Sequence, residues 1–186
     1  GVEVRPVDLV FSAWDCTLEL RDEAPPAMRL GLRYVRGLSS ASRDALEAAM
    51  AMGPLSSLDE LVCRADEAGV TDRVLITLAR AGAFRTLWPG RREALWEVLK
   101  RLRERRMTLD LRSAERLTAT LPSMSVLEET RADYATLGLS HLHHPMRFHR
   151  PSLRARGVLS SAELSRVPHG ASIRVAGLVT CRQRPG

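Results

Sequence analysis

Glycine residues divide the sequence between residues 27 and 102 into short segments, in each of which the apolar residues have the spacing of an α-helix. Leu30, Tyr34 and Val35 form one apolar face, which Gly37 ends, and a second face runs from there to Gly53 and Pro54. Further apolar faces lie before and after Gly82. The spacing predicts four or five short helices joined by glycine turns, and therefore a mainly α fold.

Capping residues mark where several of these helices begin. Ser57 with Glu60, and Ser125 with Glu128, have the spacing of capping boxes, and Thr71 or Asp72 can cap a helix that ends at Gly82. A short helix is expected around residues 161–167. The sequence predicts irregular or short-strand structure for residues 1–26, a polar linker for residues 103–124 and a strand for residues 173–181.

Composition favours a polyanionic partner. The net charge is +6, and Lys100 is the only lysine, so nearly all cations are arginines, which pair with phosphate oxygens in a fixed fork geometry. The aromatic content of 4% and the Leu, Ala and Val content favour helix. Three dispersed cysteines, with no apolar run long enough for a signal or a membrane span, predict a soluble cytoplasmic protein with no membrane partner.

The stretch "YVRGLSSASRDAL", residues 34–46, has two interpretations. A glycine turn followed by serines at a helix start exposes free backbone amides, and with Arg36 and Arg43 beside them these amides can bind phosphate. The alternative is a structural turn between two helices whose serines only cap the second helix. A second copy, "LARAGAFRTL", places Gly82 between Arg80 and Arg85 and strengthens the phosphate interpretation.

Other candidate chemistry is weaker. The histidines of "HLHHP" have no cysteine or carboxylate at a familiar zinc spacing, so no metal site is expected. Ser140, His144 and Asp133 could be combined into a triad, but no nucleophile elbow is present. Nucleotide-binding glycine loops are also absent. No catalytic residue and no cofactor are therefore expected in this segment.

Several collinear motifs resemble bacterial C-family DNA polymerases, the alpha subunits of DNA polymerase III, and particularly their error-prone, translesion class. The motifs are "WDCTLE" at 14–19, "RLGLRYVRGLS" at 29–39, "GPLSSLDEL" at 53–61, "LARAGAF" at 78–84, "GRREALW" at 90–96, "DYATLGLSHLHHPM" at 133–146 and "IRVAGLVTCRQRPG" at 173–186. The chain starts without Met and ends after a Pro-Gly turn signal, so it is expected to be a C-terminal fragment of a longer chain.

This resemblance implies a domain order. Residues 1–26 would end the fingers region, and residues 27–102 would form a tandem helix-hairpin-helix domain that binds duplex DNA. Residues 103–170 would be a linker with short helices, and residues 171–186 would begin a truncated OB-fold, a module that binds single-stranded DNA. The family's catalytic aspartates and magnesium ions would lie upstream, outside this segment.

The resemblance and the arginines together give the predicted DNA contacts. They are Arg36, Gly37, Ser39, Ser40 and Arg43 in the first hairpin, and Gly82, Arg85, Arg91 and Arg92 around the second. Ser39 stands where the family often has a second glycine. Replicative members carry a clamp-binding peptide, but the nearest candidate here, "MTLDL" at 107–111, has neither glutamine nor an aromatic residue, which argues against clamp binding.

The expected function is that of a non-catalytic DNA-binding segment of an error-prone DNA polymerase, which extends primers by template-directed nucleotidyl transfer during damage tolerance. Two alternatives remain open. One is a free-standing helix-hairpin-helix DNA-binding protein. The other is a protein-interaction module that contacts other mutagenesis factors, in which the arginines are only solvated.

Overall fold

A computed structural model describes residues 2–22, 24–106 and 121–183. The chain divides into two compact units, Gly1–His141 and Leu142–Gly186. The described part is mainly helical, as the glycine spacing predicts, with a few short strands. The segment 107–111 considered for clamp binding lies outside the described residues.

The first unit begins with a three-stranded sheet. Its strands are β1 (Glu3–Arg5), β2 (Thr17–Glu19) and β3 (Ala27–Arg29). The central strand β3 pairs parallel with β1 and antiparallel with β2. Arg29 is buried on β3, and its Nε donates to Glu19 Oε1 at 2.6 Å. This buried ion pair fixes β2 against β3.

The prediction of a helix before Gly37 is wrong for most of that segment. Residues 27–29 form β3, and only a single 3-10 turn, Leu32–Tyr34, precedes the glycine. Tertiary pairing with a strand on each side overrides the local helical spacing at residues 27–29. Gly31 also lies against the Trp14 carbonyl, where a Cβ atom would be 2.4 Å from that oxygen.

The described residues of the first unit also form five helices. They are α1 (Ser40–Ala51), α2 (Leu58–Glu67), α3 (Asp72–Ala81), α4 (Arg91–Arg106) and α5 (Val126–Thr136). Helix α4 continues past residue 102, where the sequence predicts a linker. The core lies between these helices, and its fully buried side chains include Leu61, Leu75, Leu78, Phe84 and Val98.

Helix caps match the sequence prediction with two differences. Thr71 stands at the N-cap of α3, but its side chain makes no capping hydrogen bond. Ser125 and Glu128 form a complete capping box on α5. Ser57 accepts from the Glu60 amide as expected, but the Glu60 carboxylate binds the amide and hydroxyl of Ser56 instead of reaching back to Ser57. Glu60 therefore stabilises the chain one residue before the cap.

The second unit contains α6 (Met146–Ala155), β4 (Val158–Leu159), α7 (Ser161–Leu164) and β5 (Arg174–Val175). Strand β5 pairs parallel with β4 and covers two residues of the longer strand predicted over 173–181. None of the described residues in this unit, 142–183, is buried. Throughout the described ranges, no helix is both long enough and apolar enough to cross a membrane.

Candidate nucleic-acid interface

The first hairpin presents its backbone on the surface. Gly37 has a φ of +95°, a left-handed backbone conformation that residues other than glycine rarely adopt. Ser39 follows in an extended conformation and caps α1, since its hydroxyl accepts from the Ser42 amide at 3.2 Å. Gly37, Ser39 and Ser40 are all exposed. The turn thus leads the chain into α1 with the start of the helix open to solvent.

The start of α1 lacks a carboxylate. Helices α2, α3, α4, α5 and α7 each carry Asp or Glu in the first turn, where it offsets the positive end of the helix dipole, but α1 carries none. First-turn amides have no intrahelical acceptor. An exposed helix start of this kind attracts an anion, and a phosphate group suits both the amides and the dipole.

Arg36 serves a structural purpose that its sequence position does not show. Its Nη1 donates to the carbonyls of Tyr134 and Ala135 at 3.3 and 3.4 Å, and its backbone amide donates to the Thr136 carbonyl at 2.8 Å. These are carbonyls at the C-terminal end of α5, where the helix dipole favours a cation. Arg36 remains exposed, so it fixes the hairpin to α5 and still offers N–H groups to solvent.

Arg43 lies one turn into α1, on the exposed surface. Its Nε donates to Glu47 Oε1 at 2.7 Å, and this hydrogen bond raises the pKa of the guanidinium. Its guanidinium carbon lies 6.0 Å from the Trp14 ring centroid, within cation–π range. Because an exposed ion pair is weak, a phosphate can replace Glu47 as the partner of Arg43 at little cost.

The second hairpin differs from the first because it is covered. Gly82 has a φ of +74° and ends α3, as predicted, but it is buried together with Phe84. The guanidinium of Arg91 packs on Gly82, where a Cβ atom would lie 2.8 Å from Arg91 Nε. The two glycine turns therefore share a sequence pattern but differ in exposure, because the turn at Gly37 is exposed and the turn at Gly82 is buried.

Arg91 is the centre of a buried ionic cluster. Its side chain is 5% exposed and pairs with Asp133, which is 2% exposed, while its Nε lies 3.3 Å from Glu129 Oε2. Asp133 also accepts from the Ser140 hydroxyl at 2.7 Å. A guanidinium held in this way presents no surface to DNA, so the geometry gives Arg91 a structural role in place of the predicted phosphate contact.

The other two arginines of the second hairpin are partly exposed and lie against α5. Arg85 Nη2 is 3.4 Å from Glu129 Oε2, and Arg92 Nη2 is 3.1 Å from Glu128 Oε1. Both carboxylates come from the first turn of α5. The sequence indicates that helix through its capping box, but nothing in it indicates that α5 would cover the second hairpin.

The Ser140 contact also bears on the triad considered from the sequence. The hydroxyl of Ser140 donates directly to Asp133, and the imidazole near this carboxylate belongs to His141, whose Nδ1 is 3.7 Å from Asp133 Oδ2. The hydrogen bond from Ser140 therefore goes to the acid itself, whereas in a nucleophile–histidine–acid triad the histidine lies between the two. Within the described residues, no group of three His, Cys, Asp or Glu side chains is placed to hold a metal ion.

Comparison with known proteins agrees with the motif order. Residues 1–94 match the family model of the helix-hairpin-helix motif. Over the full chain, error-prone DNA polymerases of Alkalilimnicola ehrlichii, Pseudomonas fluorescens and Burkholderia pseudomallei are 44%, 40% and 39% identical. The chain spans 18% of the length of each of these relatives. The chain therefore belongs to the helix-hairpin-helix motif family and is similar along its whole length to a segment of error-prone DNA polymerases.

Proposed function

We propose that this chain is a non-catalytic segment of an error-prone DNA polymerase and that its first hairpin binds the backbone of duplex DNA without reading its sequence. The observation that carries the proposal is the exposed turn at Gly37–Ser40, which leads into a helix start without a carboxylate and is flanked by Arg36 and Arg43. Backbone amides and guanidinium groups contact phosphates in any sequence.

The proposed contact set follows from exposure. Arg36, Gly37, Ser39, Ser40 and Arg43 form the primary contact. Arg85 and Arg92 would add contacts if phosphate displaced Glu129 and Glu128, whereas Gly82 shapes its turn and Arg91 supports it from the interior. This assignment makes the first hairpin the main DNA contact of a tandem helix-hairpin-helix region at residues 27–102.

We further propose an activity for the longer protein of which this chain would be a segment. Its activity would be primer extension by nucleotidyl transfer opposite damaged template, with the catalytic carboxylates and magnesium ions held outside this chain. Residues 171–186 would begin an OB-fold that binds single-stranded DNA. The cytoplasmic location expected from the cysteines stays a prediction.

One observation favours a protein partner as a second candidate. Phe11, Leu18 and Leu20, which lie near the N-terminal sheet, are 59%, 68% and 83% exposed. Large apolar side chains that remain exposed in a folded chain are candidates for contact with another protein. The three side chains lie in the segment expected to end the fingers region, so the contact would be with the rest of a polymerase or with another mutagenesis factor.

Replacing Ser40 by Glu tests the DNA-binding proposal because it separates binding from folding. A carboxylate in the first turn stabilises a helix by up to about 1 kcal/mol, but at this position it would repel a phosphate. We expect the Ser40→Glu variant of the 186-residue chain to unfold at the same or a higher temperature and to bind a 20-base-pair duplex at least tenfold more weakly. Fluorescence anisotropy measures the binding.

Ala48→Glu is the matched control, since it places the same charge on the exposed surface of α1 away from the hairpin. Two duplexes of unrelated sequence should bind alike, and Arg43→Ala should reduce the salt slope of log affinity by about 0.9. Equal losses for Ser40→Glu and Ala48→Glu, or binding that does not depend on salt, would contradict the proposal. Lack of duplex binding together with nuclease-resistant capture of a polymerase subunit would favour the protein partner.

A further inference from the structure

Positive charge is distributed very unevenly along the chain. Of the 28 basic and 22 acidic residues, eight arginines and one carboxylate lie in the second unit, residues 142–186. This unit therefore carries a net charge of +7, whereas residues 1–141 carry −1. Within the first unit, residues 27–102 carry 12 basic and 9 acidic residues, a net charge of +3, so the excess of positive charge is largest in the second unit.

The one carboxylate of the second unit is Glu163, and it is already engaged. It accepts from the Ser160 amide at 2.8 Å and from the Ser160 hydroxyl at 2.6 Å, completing the capping box of α7. It also pairs with Arg154 at 2.9 Å, although the Arg154 side chain remains 68% exposed. One carboxylate cannot neutralise eight arginines, so this unit needs an external anion or solvent.

Helix α6 gathers three of these arginines on one face. Arg147, Arg150 and Arg154 are three and four residues apart, so they follow one another along the helix surface over about 10 Å of its axis. The first turn of α6 contains no acidic residue. The same face has a groove of about 750 Å³, lined by Met146, Arg147, Arg150, Pro151, Arg154 and Ala155.

Local hydrogen bonds hold the three guanidinium groups in place. Arg147 Nη1 lies 2.7 Å from His143 Nδ1, Arg150 Nη1 donates to the Leu159 carbonyl at 3.4 Å, and Arg154 binds Glu163 as above. Each guanidinium has five N–H donors, so these bonds orient the side chains and leave further donors for a ligand. Positioned donors bind phosphate with less loss of side-chain entropy.

We propose that the arginine face of α6, formed by Arg147, Arg150 and Arg154, binds the phosphate backbone of single-stranded DNA. A flexible strand can lay successive phosphates along this row of cations. Apolar side chains beside the arginines, such as Met146 and Pro151, give the sugars and bases an apolar surface to pack against. This site is separate from the first hairpin and does not depend on duplex binding there.

Planar side chains at the start of α6 support a single strand as the ligand. The rings of His143 and Phe148 meet edge to face with centroids 6.2 Å apart, and Arg147 contacts the same imidazole. Unpaired bases stack on aromatic rings and guanidinium planes, which duplex bases cannot do. Met146, Pro151 and Ala155 line the same groove as the three arginines, so a base or sugar can lie against apolar atoms while its phosphate reaches a guanidinium.

The test compares two triple variants of the 186-residue chain that each remove three positive charges. One is Arg147→Ala, Arg150→Ala and Arg154→Ala. The control is Arg131→Ala, Arg156→Ala and Arg166→Ala, whose side chains are exposed and belong neither to the arginine face of α6 nor to residues 171–186. Binding of a labelled dT20 oligonucleotide, a 20-base-pair duplex and vesicles containing anionic lipid is measured across a range of salt, and circular dichroism checks folding.

We expect the α6 triple variant to bind dT20 at least tenfold more weakly and to lose about two units of salt slope, because three single-strand phosphate contacts contribute about 0.7 each. The control should change affinity less than threefold, and lysines at the three α6 positions should restore much of it. Equal losses in both triples would show an effect of net charge alone. A larger loss for duplex or for vesicles than for dT20 would also overturn the proposal.

Discussion

The guanidinium of Arg91 is a buried charge on which the packing of α4 against α5 depends. Replacing Asp133 by Ala would leave this cation without its main partner in a low-dielectric site, which typically costs about 3–5 kcal/mol. We expect a drop of that size in the free energy of unfolding, measured with urea. Arg92→Ala breaks the exposed pair with Glu128 and should cost no more than about 1 kcal/mol. Similar losses from both substitutions would contradict the buried cluster.

The two hairpin glycines should respond differently to alanine. Both have positive φ, so each alanine variant carries a backbone penalty of about 1–2 kcal/mol. At Gly37 the added methyl meets only Thr77 Cγ2, 3.9 Å away, whereas at Gly82 it would displace the Arg91 guanidinium. Gly82→Ala should therefore destabilise the chain more than Gly37→Ala in thermal unfolding. The reverse order would mean that Arg91 does not pack on Gly82.

The turn and cap residues could be predicted from the sequence, whereas the buried role of Arg91 could not. The turn positions Gly37 and Gly82 and the caps Ser39 and Ser125 were predictable, because backbone conformation and capping depend on residues a few positions apart. Arg91 looked like a phosphate contact because its partner Asp133 is 42 residues away. Burial by a distant element leaves no local signal in a single sequence.

At the scale of elements, the capping box of α7 makes a pH-dependent contribution. Hydrogen bonds from the Ser160 hydroxyl and amide, and then the Arg154 guanidinium, lower the pKa of Glu163 from 4.5 to about 2. A pKa lowered by folding stabilises the start of α7 above about pH 4.5, and this contribution is lost as the pH falls through about 2. An NMR titration of the Glu163 carboxyl carbon should show its midpoint near 2, moving toward 4.5 in Ser160→Ala. A midpoint near 4.5 in the unsubstituted chain would contradict the capping box.

Elements with strong local signals were the predictable ones. Helix α3 follows its apolar spacing and ends at Gly82, and α5 follows its capping box. The strand β3 was mistaken for helix because Leu30, Tyr34 and Val35 have helical spacing, whereas pairing with β1 and β2 decides the conformation of residues 27–29. Helix α6 was not predicted, since His149 and Pro151 interrupt the apolar pattern.

For the whole molecule, burial predicts two levels of backbone protection. The first unit has a continuous core, whereas none of the described residues in 142–183 is buried. Amide hydrogen exchange should therefore be slowest in α3 and α4 and much faster in α6 and α7, because helices without buried contacts open locally at low free energy. Mass spectrometry of exchanged peptides measures this. Equal protection of α3 and α6 would show that the second unit has a stable core.

Single-stranded DNA should alter that pattern if the arginine face of α6 binds it. Peptides covering residues 146–155 would exchange more slowly with dT20 present, and those covering α3 would not change, because a ligand that binds only the folded helix opposes its opening. The α6 triple alanine variant provides the control, since it should show no added protection. Unchanged exchange of α6 in the unsubstituted chain at saturating dT20 would contradict the contact.

The buried pair of Arg91 and Asp133 extends beyond the part of the chain that matches the helix-hairpin-helix family model. The family match ends at residue 94, inside α4, so it includes the cation and leaves out the carboxylate that neutralises it. A protein truncated at that boundary would keep Arg91 and lose α5. A fragment that keeps this buried pair therefore has to include α5, which ends at Thr136, well past the end of the family match.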